Sequence, residues 1–142
     1  MNKTWFLALM AELKRDEGIR LKPYRDAMGR LTIGVGRNLD DVGISETESD
    51  FLLVNDIERT LATLDAHLPW WRTLDTVRQR VMTNMAFKLG MGRLLTFHDA
   101  LAAMQMHQYA RAAQAMVDSR WASQVGQRAV RLAEQMRTGV AV

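Results

Sequence analysis

Residues 16–36, DEGIRLKPYRDAMGRLTIGVG, constrain the fold most, because the hydrophobic period changes from helical to alternating within this short stretch. Before it, Phe6, Leu9, Met10 and Leu13 fall at i, i+3, i+4 and i+7, the spacing of one buried helical face. Carrying the stripe on by one turn reaches Glu17, within roughly 20° of the direction of Phe6 at about 100° per residue. Gly18 follows, where a left-handed residue ends a helix. The reading puts the Glu17 carboxylate at a helix C-terminus on the core-facing side. Partial desolvation and the negative end of the helix dipole both disfavour its charged form there, which is how a glutamate becomes a general acid. Taken alone, the same residue also reads as the last solvated position of a surface helix.

After Pro23, the run Tyr24-Arg25-Asp26 passes through Ala27-Met28-Gly29-Arg30 into Leu31-Thr32-Ile33-Gly34-Val35-Gly36. Two short β-prone runs joined by a glycine-containing connection predict a hairpin. In its second run Leu31, Ile33 and Val35 share one face, while Thr32, Gly34 and Gly36 leave the other polar and uncrowded, suited to a close backbone or substrate approach. Two carboxylates in different environments, Glu17 and Asp26, form the pair that glycosidic hydrolysis uses, one protonated and one ionised. The plainer alternatives are a turn-stabilising aspartate at Asp26 and a generic strand former at Thr32.

The order of Glu17, Asp26 and Thr32 within D-E-G-x-R-L-x-x-Y-x-D and T-I-G-x-G closely resembles the phage-type lysozymes, the endolysins of tailed bacteriophages. The resemblance continues through Asn84-Met85-Ala86-Phe87, Gly90, Phe97, Ser119-Arg120-Trp121 and Arg137-Thr138-Gly139, in order along almost the whole chain. It implies an α+β fold: a small N-terminal lobe with a short β-hairpin or sheet, a long connecting helix and a larger all-helical C-terminal lobe. In that scheme residues 17–60 form the α/β lobe, and 1–16 join 65–142 in the helical one.

The implied activity is hydrolysis of the β-1,4 bond between N-acetylmuramic acid and N-acetylglucosamine, with Glu17 as acid, Asp26 activating water or stabilising charge, and Thr32 positioning the water. It further implies the inverting route, and Arg128 as the arginine that orients the catalytic glutamate. Phe87 matches a cleft-lining position of the family and Leu39 lies just past the hairpin; both are candidate sugar contacts, with packing the plainer reading of each. Peptidoglycan glycan strands are the implied partner of a monomer that needs no cofactor or metal and binds no nucleic acid. Synthesis in the host cytoplasm and action on the wall in the periplasm, with a holin for access, complete the expectation. Some positions depart from the family. Arg37 stands for a histidine, Lys88 for an uncharged polar residue, Ala100 and Ala115 for polar cleft residues, and the segment 38–45 is short.

The rest of the sequence bounds the alternatives. There is no cysteine, which removes disulfides and thiol chemistry, and three scattered histidines make no metal constellation. No run of about 18 apolar residues is present to span a membrane. The apolar run Trp5–Ala11 is cut by Glu12 and reads as a structural helix, not a signal peptide. Residues 1–70 carry 9 basic and 12 acidic side chains, and 71–142 carry 10 and 4. The basic half suits an anionic polymer, but its arginines are spread over several helices without a nucleic-acid recognition motif. A lysozyme-like binding module without activity is the other competing reading.

Further along, Ser45-Glu46-Thr47-Glu48 predicts a capping box opening a long helix that Pro69 stops. Helices are predicted near 74–89, 100–107, 108–118 and 126–137. Trp70 and Trp71 read as core at a helix junction, and the ten methionines as adaptable filling of the helical part.

Overall fold

Helix α1, Lys3–Glu17, begins where the Asn2 side chain accepts hydrogen bonds from the Thr4 and Trp5 amides at 2.9 and 3.4 Å in the computed structural model. The structure describes residues 2–142. Lys14 and Arg15 occupy the last turn, facing the negative end of the dipole, and the Gly18 amide closes it on the Lys14 carbonyl at 2.9 Å. Gly18 has the expected positive φ of 77°, but its ψ of 165° is extended rather than left-handed helical. One expectation is corrected here: the helix is amphipathic in spacing, yet none of its residues is buried, and Trp5 is 57% exposed.

The chain divides into two compact units, Met1–Phe51 and Leu52–Val142, the division falling inside helix α2, Glu46–His67. In the first, strands β1 (Arg20–Arg25), β2 (Leu31–Gly34) and β3 (Arg37–Asn38) form an antiparallel sheet in the order β1-β2-β3. The predicted hairpin is present, but its first strand begins before Pro23, not after it. Arg20 pairs with Gly34 and Tyr24 with Thr32, so the pairing is irregular between Arg20 and Tyr24. Pro23, which has no amide to donate, sits in that irregular stretch. A unit of this size has little interior. Thr32 is its single buried residue among those described.

The capping box at the start of α2 forms as predicted. The Glu48 amide donates to Ser45 Oγ at 3.1 Å and the Ser45 amide to Glu48 Oε1 at 2.9 Å. After α2, a 3-10 turn covers Pro69–Thr73, and helices follow: α3 (Thr76–Leu89), α4 (Met91–Leu94), α5 (His98–Gln105), α6 (Tyr109–Val117), α7 (Arg120–Val125) and α8 (Gln127–Thr138). Among the described residues no helix is long and apolar enough to cross a membrane.

The core lies in this second unit, where α8 packs on α6 and α3. Trp71 is buried with its indole N–H donated to Asp65 Oδ1 at 2.7 Å, and Trp70 packs partly buried beside it. Met82, Met85, Met104, Met116 and Met136 are fully buried, whereas Met106 and Met28 are exposed, so only part of the methionine complement fills the core. Arg78 fixes the end of α8: its Nε donates to the Met136 carbonyl at 2.6 Å and its Nη2 to that of Arg137 at 3.0 Å, over the Tyr109 ring.

Candidate active site

Glu17 ends α1 and is exposed, so the desolvation expected from a core-facing position is absent. What shapes its surroundings is the turn between β2 and β3. A Cβ built on Gly36 would lie 3.5 Å from Glu17 Oε2, and Gly36 has φ of +68°. Glycine suits the positive φ of this turn, and the turn lies within van der Waals reach of the carboxylate. The T-I-G-x-G run thus has a local physical meaning: its last residue brings the sheet to Glu17.

Asp26 opens the β1–β2 connection. Its Oδ1 accepts the amides of Met28 and Arg30, each at 2.9 Å, while its own amide donates to the Arg30 carbonyl at 3.0 Å. Gly29, with φ of +79°, donates to the Asp26 carbonyl at 2.9 Å and completes the turn. The turn-stabilising alternative for Asp26 is therefore real, but it engages one oxygen. Oδ2 has no hydrogen-bond partner among the described residues.

Thr32 follows on β2 and is 3% exposed, so the alternation runs opposite to expectation: Thr32 is buried, while Leu31 and Ile33 are intermediate and Val35 is exposed. Its Oγ1 donates to the Arg30 carbonyl at 2.8 Å. With the proton committed there, the hydroxyl oxygen keeps its lone pairs as acceptors. A single turn, Asp26–Arg30, therefore links both residues.

Arg37 has acquired a partner of its own. Its guanidinium grips Glu48 with Nη1 to Oε1 at 2.9 Å and Nη2 to Oε2 at 2.8 Å, and Nη1 also reaches the Gly43 carbonyl at 3.2 Å. This fork, then the Ser45 amide, holds the Glu48 carboxyl down at about 2. Arg37 thus ties the sheet to the start of α2 through an ion pair. Leu39 is half-buried, its amide donating to the Leu31 carbonyl at 2.7 Å, and serves the sheet edge.

In the second unit, Arg128 donates through Nε and Nη2 to Asn84 Oδ1 at 3.0 and 2.7 Å. Arg128, Asn84 and Phe87 line one cavity of about 450 Å³ with Leu53, Ile57 and Arg80. Two residues singled out from the sequence, 41 positions apart, are thus brought together. The Phe87 ring is exposed and available for contact. The sequence assigns no role to Asn84 of the N-M-A-F run, and its contact with Arg128 supplies one. Ala100 and Ala115 both line a second, open pocket of about 650 Å³ that also includes Arg93, Arg111, Arg120 and Trp121. Lys88 is exposed and has no bonding partner among the described residues. No group of three or more metal-ligating side chains occurs among the described residues.

Taken together, the first unit presents a carboxylate at a helix end, a second carboxylate with one uncommitted oxygen and a buried hydroxyl whose proton is donated to the Arg30 carbonyl. That set can donate a proton and activate or hold a water, the two operations of glycoside hydrolysis.

The family model described as phage lysozyme matches residues 14–137. The chain is 31% identical to the pre-baseplate central spike protein Gp5 of Enterobacteria phage T4, over 92% of its own length but only 28% of that protein's. It is 28% identical to each of two probable T4-type lysozymes of Dictyostelium discoideum, over 89% of this chain and 92% of each relative.

Proposed function

The chain belongs to the phage lysozyme family, and from that premise we propose that it is a muramidase-type peptidoglycan hydrolase cleaving the β-1,4 bond between N-acetylmuramic acid and N-acetylglucosamine. Two local arrangements in the first unit support the reading. Glu17 lies against the Gly36 turn, and a single turn links Asp26 to Thr32.

In the reaction, Glu17 gives its proton to the leaving glycosidic oxygen. Asp26 Oδ2 stabilises the oxocarbenium-like charge or takes a proton from water, and Thr32 Oγ1 accepts a hydrogen bond from that water. A water delivered from the face opposite the acid gives the inverting outcome. Arg128 is assigned as an assisting cation and Phe87 as a sugar contact. Leu39 is assigned to the sheet.

Glu17→Gln tests the assignment. The amide keeps the size of the side chain and cannot donate the required proton, so turbidity clearance of peptidoglycan should fall by about 10³-fold with an unchanged far-UV spectrum. Activity within tenfold of the parent would remove Glu17 as the acid.

The setting we assign is host lysis, with the chain acting as a holin-dependent endolysin on the wall from the periplasmic side. A second setting, inside a phage particle, is favoured by the likeness to the T4 spike protein. Finding the chain in purified particles would select the second without altering the chemistry.

A further inference from the structure

We propose that Asp40 is a positioning residue for Asp26 and Thr32, an inference that rests on the hydrolytic reading of those two side chains. The antiparallel pairing of β2 with β3 runs through Ile33 and Arg37, then Thr32 and Asn38. The next pair in register is Leu31 and Leu39, which in a regular ladder would exchange two backbone hydrogen bonds. One of them is made, from the Leu39 amide to the Leu31 carbonyl at 2.7 Å. The reciprocal bond is replaced: the Leu31 amide donates to Asp40 Oδ2 at 2.8 Å.

The replacement has a local cause. After Asn38 the chain turns away, with the Val42 and Gly43 amides both bonded to the Asn38 carbonyl at 3.1 and 3.2 Å. The Asn38 side chain holds the same turn by accepting the Asp41 amide at 3.0 Å and donating to Asp41 Oδ2 at 2.9 Å. Asp40 therefore projects from a fixed turn, and its carboxylate supplies the acceptor that a continuing strand would have provided.

What it steadies is the chain between the two reactive side chains. Leu31 lies between Thr32 and Arg30, whose amide binds Asp26 Oδ1 and whose carbonyl accepts from Thr32 Oγ1. Asp40 Oδ2 also lies 3.5 Å from Arg25 Nη1, which donates to the Gly29 carbonyl of the same turn at 3.2 Å. One carboxylate thus reaches the residue before Asp26 and the residue before Thr32. Its side chain is 46% exposed, so the ion pair with Arg25 is screened, and the hydrogen bond to Leu31 is the contact that matters.

Asp40→Ala and Asp40→Asn separate this role from charge and from folding. The asparagine keeps an oxygen acceptor for the Leu31 amide; the alanine does not. On soluble peptidoglycan fragments, Asp40→Ala should lower kcat about tenfold with KM within about twofold, the signature of misplaced reacting groups. Asp40→Asn should restore kcat to within about threefold of the parent. Amide hydrogen exchange followed by NMR should show faster exchange at Leu31 in Asp40→Ala and parental exchange in Asp40→Asn.

Unchanged exchange at Leu31 in the alanine variant would overturn the contact itself. Faster exchange with an unaltered kcat would overturn its bearing on catalysis, as would an asparagine variant no better than the alanine. A parent protein that leaves peptidoglycan intact, with the exchange pattern as described, would instead refute the hydrolytic reading and take the positioning role with it.

Discussion

Replacing Thr32 with valine deletes one oxygen from the one buried residue among those described in the first unit, while keeping the β-branched shape that β2 requires. The structural cost can be worked from the bonds. Thr32 Oγ1 donates to the Arg30 carbonyl at 2.8 Å, but that carbonyl also accepts the Asp26 amide at 3.0 Å, so no buried acceptor is left unpaired. Losing such a bond costs about 1 kcal/mol, and the added methyl offsets part of it. For a chain of this length that is a fall in Tm of about 3 °C or less. If Thr32 Oγ1 holds the attacking water, activity should drop by about 10²-fold, equivalent to about 2.7 kcal/mol of barrier. The two numbers differ enough to be read separately. Calorimetry and initial rates of peptidoglycan clearance on the same preparation give both. A fully active variant would make Thr32 a strand former only, and an activity loss that merely tracks a Tm drop of 10 °C or more would refute the claim that the hydroxyl acts on the reaction.

The Arg37–Glu48 fork predicts an acid-dependent weakness at the junction of the sheet and α2. The Glu48 carboxyl is held below its usual value, at about 2, so its stabilising contribution is complete above its unfolded value near 4.5 and is lost as pH falls towards 2. Thermal melts from pH 6 to 2 should show Glu48→Gln converging on the parent at the acid end, and a constant difference across that range would refute the assignment. For the second unit, Asn84→Ala frees the Arg128 guanidinium from its acceptor, so Asn84→Ala and Arg128→Ala should each reduce hydrolysis. Their double variant should be no worse than Arg128→Ala alone, whereas additive losses measured in initial rates would show that the two act separately.

The parts of this fold visible in the sequence are those written in local chemistry. Gly18 ends α1, Ser45 and Glu48 close a capping box, and Pro69 follows the end of α2, each acting within a few residues. Helices α4 and α7, of four and six residues, are too short to show a hydrophobic period, and α7 is recognisable only from its Ser119 cap. Strand β3 has two residues and no pattern at all. The start of β1 is hidden because Leu21 is 85% exposed and breaks the alternation a half-buried strand would show. The stripe on α1 reports spacing, and spacing does not say what covers a helix. At the candidate site, Glu17, Asp26 and Thr32 stand out through motif order. Asn84 as the partner of Arg128 depends on a contact 44 residues away. Asp40 depends on a side chain standing in for a backbone carbonyl, which no sequence pattern encodes.

Mass spectrometry of the products released from purified peptidoglycan tests the central claim most directly. Hydrolysis between N-acetylmuramic acid and N-acetylglucosamine should yield fragments ending in a reducible muramic acid that gain two hydrogens on borohydride treatment, and Glu17→Gln should release none of them. Fragments ending in anhydro-muramic acid would mean that no water enters the reaction. That result would contradict the roles given to Asp26 and Thr32.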